Sequence, residues 1–155
     1  LASEGTAALL VTHDHSEAEL LAERALVLVD GEVAQLAAVE DLLRQPASLE
    51  VARFLGYSVV PALLLARLLG GVSDHTWGLV PPRSVRVVGV GVDEDGPIVQ
   101  GTVRAVQGAL GQARILVDVG APLAAELPPS QIRALGLQPG SPVTLRIDPA
   151  HLAWL

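Results

Sequence analysis

The sequence predicts two unlike parts in one chain, an α/β segment followed by a small all-β barrel, and three observations carry that prediction. The apolar run Leu9-Leu10-Val11 ends in Thr12-His13-Asp14, and a helical pattern begins at once with Ser16-Glu17-Ala18-Glu19-Leu20-Leu21-Ala22-Glu23-Arg24. That succession reads as strand, polar turn and helix. Asp30-Gly31 separates two short β-favouring runs and is suited to a two-residue hairpin turn. Beyond Trp77 the chain breaks into short β runs punctuated by glycine and proline.

Taken in order, a strand before His13 would put that imidazole at a strand's carboxyl end, where open α/β sheets place ligands. Asp14 and Ser16 are each followed three residues later by Glu17 and Glu19, so either pair could form a capping box. Ala25–Val29 and Glu32–Leu36 form the hairpin. Val39–Arg44 reads as a helix stopped before Pro46, because the residue preceding proline avoids the α region. Ser48 is placed to cap a second helix, Leu49–Leu55, which ends at Gly56.

From Ala62 to Leu69 helical propensity is high. The β runs that follow are Trp77–Val80, Ser84–Val88, Ile98–Val106, Ala113–Val119 and Pro142–Ile147. In one of them Arg114, Leu116 and Asp118 alternate with Ile115, Val117 and Val119, the pattern of a half-buried antiparallel strand. Asp93-Glu94-Asp95-Gly96 reads as a solvated hairpin turn, since the spaced ligands of a calcium loop are missing. Ser130–Ala134 is a short helix, capped by Ser130 and stopped by Gly136.

Composition excludes several functions. The net charge of −7 leaves no basic stripe to neutralise nucleic-acid phosphates. The absence of cysteine removes disulfides and thiolate metal sites. The apolar run Val59–Val72 is broken by Pro61 and Arg67 and is too short to span a bilayer. His15, His75 and His151 share no metal-ligand spacing and are expected to be surface or structural residues. Trp77 and Trp154 are expected to flank the barrel at its two ends, in core or interface packing.

Several quoted motifs coincide with a known family. Gly5-Thr6, Val11-Thr12-His13-Asp14, Glu17-Ala18, Leu21-Ala22-Glu23-Arg24 and Gly31-Glu32-Val33-Ala34-Gln35 together resemble the switch-histidine region of ATP-binding-cassette (ABC) transporter ATPases. Val39–Leu43, Gln45-Pro46 and Phe54-Leu55-Gly56 extend the match. The second half resembles the small oligonucleotide/oligosaccharide-binding-like barrel called TOBE that follows the ATPase in such importers. The residues carrying this are Gly78–Val87, Gln100–Val103, Ser130–Ala134 and Leu135–Val143, the last block most like the molybdate variety.

The resemblance implies a fold class of an α/β remnant of an ABC ATPase domain followed by a TOBE barrel. Residues 1–56 would be the carboxyl-terminal portion of the ATPase, 57–76 a linker or first barrel strand, and 77–155 the barrel. By that analogy the Ala62–Leu69 stretch is assigned to β despite its propensity. His13 becomes the catalytic residue, contacting the γ-phosphate and holding the attacking water, because a neutral imidazole donates at one nitrogen and accepts at the other. A histidine satisfied at a strand end is the plainer alternative; Thr12, Asp14, Glu17 and Ala18 around it favour the former. The transporter reading requires a strand running into a helix at this point, with the ring outside any apolar cluster.

No G-x-x-x-x-G-K-[S/T] loop occurs, the chain has no lysine and no methionine, and the family's other nucleotide motifs are absent. The chain is therefore expected to be the carboxyl-terminal piece of a longer ATPase, inactive alone, with ATP and magnesium as cofactors of the full-length parent. Expected partners are a transmembrane permease and a second ATPase subunit, at the cytoplasmic face of the membrane. In the barrel, Asp148 replaces a basic residue usual in the molybdate variety, and Asp95–Ile98 replaces its S-A-R-N-type entry, so a carboxylate would repel an oxyanion there. The alternative function is a stand-alone regulatory module binding a small anion, with the ATPase segment vestigial.

Overall fold

The computed structural model describes residues 7–88, 97–108 and 113–155, apart from the side chains of His15 and Ser16. Gly5-Thr6 and the Asp93–Gly96 turn lie outside the described residues. The chain divides into two units, Leu1–Leu55 and Gly56–Leu155.

In the first unit, helix α1 (His15–Leu21) is followed by the antiparallel hairpin β1 (Arg24–Val29) and β2 (Glu32–Ala38). Its turn places Asp30 and Gly31 at φ 51° and 83°, the left-handed pair that matches the twist of the two strands. Helices α2 (Val39–Arg44) and α3 (Leu49–Phe54) complete the unit. The Ser48 side chain accepts the Val51 N–H at 3.3 Å, and Gly56 follows at φ 79°, so the expected cap and stop are both present.

The expected strand before His13 is absent. Residues 7–12 belong to no strand, and Leu9 and Val11 are 93% and 89% exposed. A strand holds its shape by ladder pairing and by burying one face, and the described residues supply neither to this run. Leu20, Leu26, Leu28, Val33 and Leu36 of the same unit are exposed as well.

The second unit opens with β3 (Ser58–Pro61) and helix α4 (Ala62–Leu68). Here the assignment of Ala62–Leu69 to β is corrected: Ala62, Leu65 and Ala66 form one buried helical face. The end of α4 is closed by the Gly71 N–H donating to the Ala66 carbonyl at 2.7 Å and the Gly70 N–H to Arg67 at 3.1 Å, with Gly70 left-handed. Propensity and a glycine stop outweighed the analogy.

After α4 come β4 (Trp77–Val80), a 3-10 turn at Pro82–Ser84, β5 (Val85–Val87), β6 (Ile98–Gly108), β7 (Ala113–Asp118) and β8 (Pro122–Leu127). Helix α5 (Pro129–Ala134), β9 (Pro142–Ile147), a 3-10 turn at Pro149–His151 and β10 (Ala153–Trp154) end the chain. Five strands form one antiparallel sheet in the order β5-β9-β6-β7-β8. Its edge strands β5 and β8 come into contact, so the sheet curls into a nearly closed barrel. Val99, Val103, Ile115, Val117, Leu123, Leu145 and Ile147 fill its interior.

Strand β6 serves both neighbours, pairing with β9 over Ile98–Thr102 and with β7 over Thr102–Gly108. Its register slips between Val103 and Ala105, leaving Arg104 as a bulge residue. A second sheet, β10-β4-β3, holds both tryptophans: Trp77 lies on β4, and Trp154 on β10 pairs with Gly78. They therefore sit on adjacent strands rather than at opposite barrel ends. Helix α5 has Pro128 at its N-cap with no side-chain cap bond, so Ser130 is not the cap; Gly136 stops the helix at φ 60° as expected. No helix among the described residues is long and apolar enough to cross a membrane.

Candidate functional site

His13 lies in a bend directly before α1 and is exposed, outside any apolar cluster. Among the described residues its ring makes no hydrogen bond, leaving both nitrogens open to a ligand. The turn around it is held by its neighbours. The Thr12 hydroxyl donates to Glu17 Oε2 at 2.7 Å and accepts the Asp14 N–H at 2.9 Å. Asp14 in turn offers its carbonyl to the Ala18 N–H at 3.3 Å, in the first turn of α1. Glu17 is thus engaged from five residues upstream by Thr12, a spacing that the three-residue capping box does not cover.

Gln35, quoted from the family motif, is a stitching residue. Its amide nitrogen donates to the Gln45 carbonyl at 3.0 Å, and its amide oxygen accepts the Ala47 N–H at 2.9 Å. That fixes the connection between α2 and α3, where Pro46 interrupts the backbone donors.

In the barrel unit, a cleft of about 680 Å³ opens between β6, β9 and the segment after α5, with Gln100, Thr102, Asp118, Leu137 and Thr144 among its lining. None of its described lining residues is basic. Its carboxylate, Asp118, is hydrogen-bonded by Arg104 Nε at 3.0 Å and by the Gly120 N–H at 2.8 Å. The Arg104 guanidinium and then that amide hold the Asp118 carboxyl below its ordinary pKa. An oxyanion would meet amide and hydroxyl groups here and a carboxylate already paired with Arg104, with no basic residue among the described lining.

Of the remaining histidines, His75 and His151 make contacts within the barrel unit, and the side chain of His15 lies outside the described residues. His75 stacks on Trp154 with ring centroids 5.9 Å apart, and His151 Nδ1 lies 3.0 Å from Asp148 Oδ2. Asp148 caps the turn that follows it, its Oδ1 accepting the Ala150 N–H at 3.0 Å. That amide first, opposed by burial and then aided by the His151 side chain, holds the Asp148 carboxyl below its ordinary pKa.

A nearly closed five-stranded antiparallel barrel, joined in one chain to an α/β piece that presents a histidine turn, defines a β-module of the OB-like class. Residues 97–153 match the family model of the TOBE domain. That stretch is similar to a TOBE domain, and relatives that the chain matches include ATP-binding subunits of ABC importers. It is 40% identical over 89 residues to an Fe(3+) ions import ATP-binding protein of Streptomyces coelicolor, covering 54% of this chain and 25% of that protein. It is 30% identical over 156 residues to an sn-glycerol-3-phosphate import ATP-binding protein of Roseobacter denitrificans, covering 91% of this chain and 43% of that one. Over 66 residues it is 41% identical to a molybdate/tungstate import ATP-binding protein of Thermococcus kodakarensis, covering 42% and 20%. The chain thus spans less than half the length of these relatives.

Proposed function

We propose that this chain is the carboxyl-terminal part of the ATP-hydrolysing subunit of an ABC importer. Residues 1–56 act as the end of the ATPase domain, and the barrel of residues 77–155, joined through 57–76, acts as its regulatory module. The strand that the resemblance requires before His13 is missing here, so the reading is carried by the similarity to ABC importer ATP-binding subunits, which extends over 91% of this chain in the sn-glycerol-3-phosphate case, with the exposed His13 turn beside it.

In this role His13 bonds the γ-phosphate of ATP from a solvent-facing turn and helps hold the attacking water. Phosphoryl transfer is governed by positioning and charge, so a placed imidazole contributes through its position at the transferred group. The described residues gather no three His, Asp or Glu side chains able to hold a metal, and the sequence has neither a phosphate loop nor a lysine. The described residues therefore do not fit magnesium, the sequence has no phosphate-loop motif, and no step is assigned to them there. A permease and a second ATPase subunit would be its partners at the inner membrane face. The solute is one of the kinds such importers carry, among them iron, polyamines, sugars and oxyanions. The lack of basic residues in the described barrel cleft weighs against the alternative of a stand-alone anion-binding module.

Replacing His13 by Ala in the assembled importer should abolish transport while ATP still binds. Transport that persisted would overturn the reading. The 155-residue chain alone should show no magnesium-dependent ATP turnover, and measurable turnover would contradict the division of roles.

A further inference from the structure

We infer that Thr12 and Glu17 are the positioning residues of His13: a hydroxyl-to-carboxylate bridge closed across the histidine sets where its ring points. The inference rests on the proposed role of His13 at the γ-phosphate. Its ground is the pair of hydrogen bonds made by one hydroxyl, 2.9 Å from the Asp14 N–H and 2.7 Å to Glu17 Oε2. A threonine hydroxyl has a single proton to donate, and here it goes to Glu17 while the oxygen receives the amide of residue 14. Residue 13 is therefore flanked on both sides by backbone tied to the same oxygen. The far anchor, Glu17, is within α1, so the bridge references the turn to a helix.

Residues 7–12 lie in no strand of this structure, and the bridge ties the turn to α1 from the other side. The His13 ring itself has no hydrogen bond among the described residues, so no direct contact of its own orients it. A small misplacement of a reacting group costs far more in rate than in binding. Thr12 and Glu17 touch no substrate in this scheme and act only through the histidine.

The test measures kcat and KM for ATP hydrolysis in the reconstituted importer, with His13→Ala as reference. Thr12→Val keeps shape and removes both hydrogen bonds; it should lower kcat roughly 10- to 100-fold, with KM for ATP changed less than about twofold. Thr12→Ser keeps the hydroxyl and should recover most of the rate. Glu17→Gln, which still offers an amide oxygen, should outperform Glu17→Ala. The double variant Thr12→Val/Glu17→Ala should be no slower than the slower single variant, since both break one bridge.

If His13→Ala hydrolyses ATP and transports normally, the underlying role of the histidine is wrong. If His13→Ala is inactive while Thr12→Val matches the unaltered protein, or Thr12→Ser is as impaired as Thr12→Val, the positioning bridge is wrong and the histidine's role stands. Losses that multiply in the double variant would also overturn the bridge. Melting of each variant subunit, followed by circular dichroism, separates misfolding from misplacement: a kcat loss tracking a lost fold counts against the inference, and the Glu17 pair then decides it alone.

Discussion

Two neighbouring residues of β7 should respond to the same truncation very differently. Ile115 is fully buried in the barrel interior, while Leu116 faces outward and is 36% exposed. Ile115→Ala removes three carbon atoms, about 0.8 kcal/mol each in transfer free energy, or roughly 2.4 kcal/mol before any cavity is counted. Ile115 belongs to one core cluster with Val103, Val117 and Leu145, and incomplete collapse of that core raises the expected cost to about 3–5 kcal/mol. Leu116→Ala removes as many carbons from a side chain already partly in water, with no enclosed void left behind, so about 1 kcal/mol is expected.

Trp77 and Trp154 are the chain's tryptophans and both lie in the Gly56–Leu155 unit, so fluorescence in urea reports unfolding of that unit. For a domain of about a hundred residues, Ile115→Ala should lower Tm by roughly 12–40 °C and Leu116→Ala by less than about 8 °C. Equal losses, or a larger one at Leu116, would refute the inside-outside assignment of β7 and with it the barrel register.

Further outcomes follow from single contacts. An added Cβ at Gly101 would lie 2.6 Å from Val117 Cγ1 and 2.7 Å from the Asp118 carbonyl oxygen, so Gly101→Ala should destabilise the same unit by about 1–3 kcal/mol in urea denaturation. Ser58 Oγ accepts the buried Ala124 N–H at 2.8 Å; Ser58→Ala should cost about 1–3 kcal/mol and speed hydrogen exchange at that amide. Asp118 has a depressed folded-state pKa, so its contribution is fully present above the unfolded value, near 3.8, and is lost as pH falls through the lower folded value. The stability gap between the unaltered protein and Asp118→Asn should therefore shrink between about pH 5 and pH 2 in denaturation midpoints, and a gap independent of pH would count against the Arg104–Asp118 pairing.

What could be read from the sequence was what is decided locally. Asp30-Gly31 specifies its own turn, and Ser48 and Gly56 bracket α3 through bonds spanning a few residues. Ile115 and Leu116 separated correctly by alternation alone. The failures needed distant partners. Pro122–Leu127 is alanine-rich and reads as no strand, yet β7 and the Ser58 hydroxyl hold it as β8. β10 exists because Ala153 and Trp154 meet Leu79 and Gly78 from far upstream. Leu9-Leu10-Val11 has the composition of a strand, but composition cannot provide a neighbour to pair with. At the site, the motif around His13 was visible, whereas the bridge from Thr12 to Glu17 spans five residues, outside the three-residue spacing of a capping box.

The extra residue at Arg104 bears on how this barrel tolerates changes in length. Val103 faces Val117 and Ala105 faces Leu116, so excising residue 104 would restore regular pairing without turning any inward side chain outward. What such a deletion would remove is the bend that lets β6 leave β9 for β7. Straightened, the strand would tend to hold β5 and β8 apart, and a gap of one amino acid in a related sequence would mark an open sheet where this chain has a cylinder.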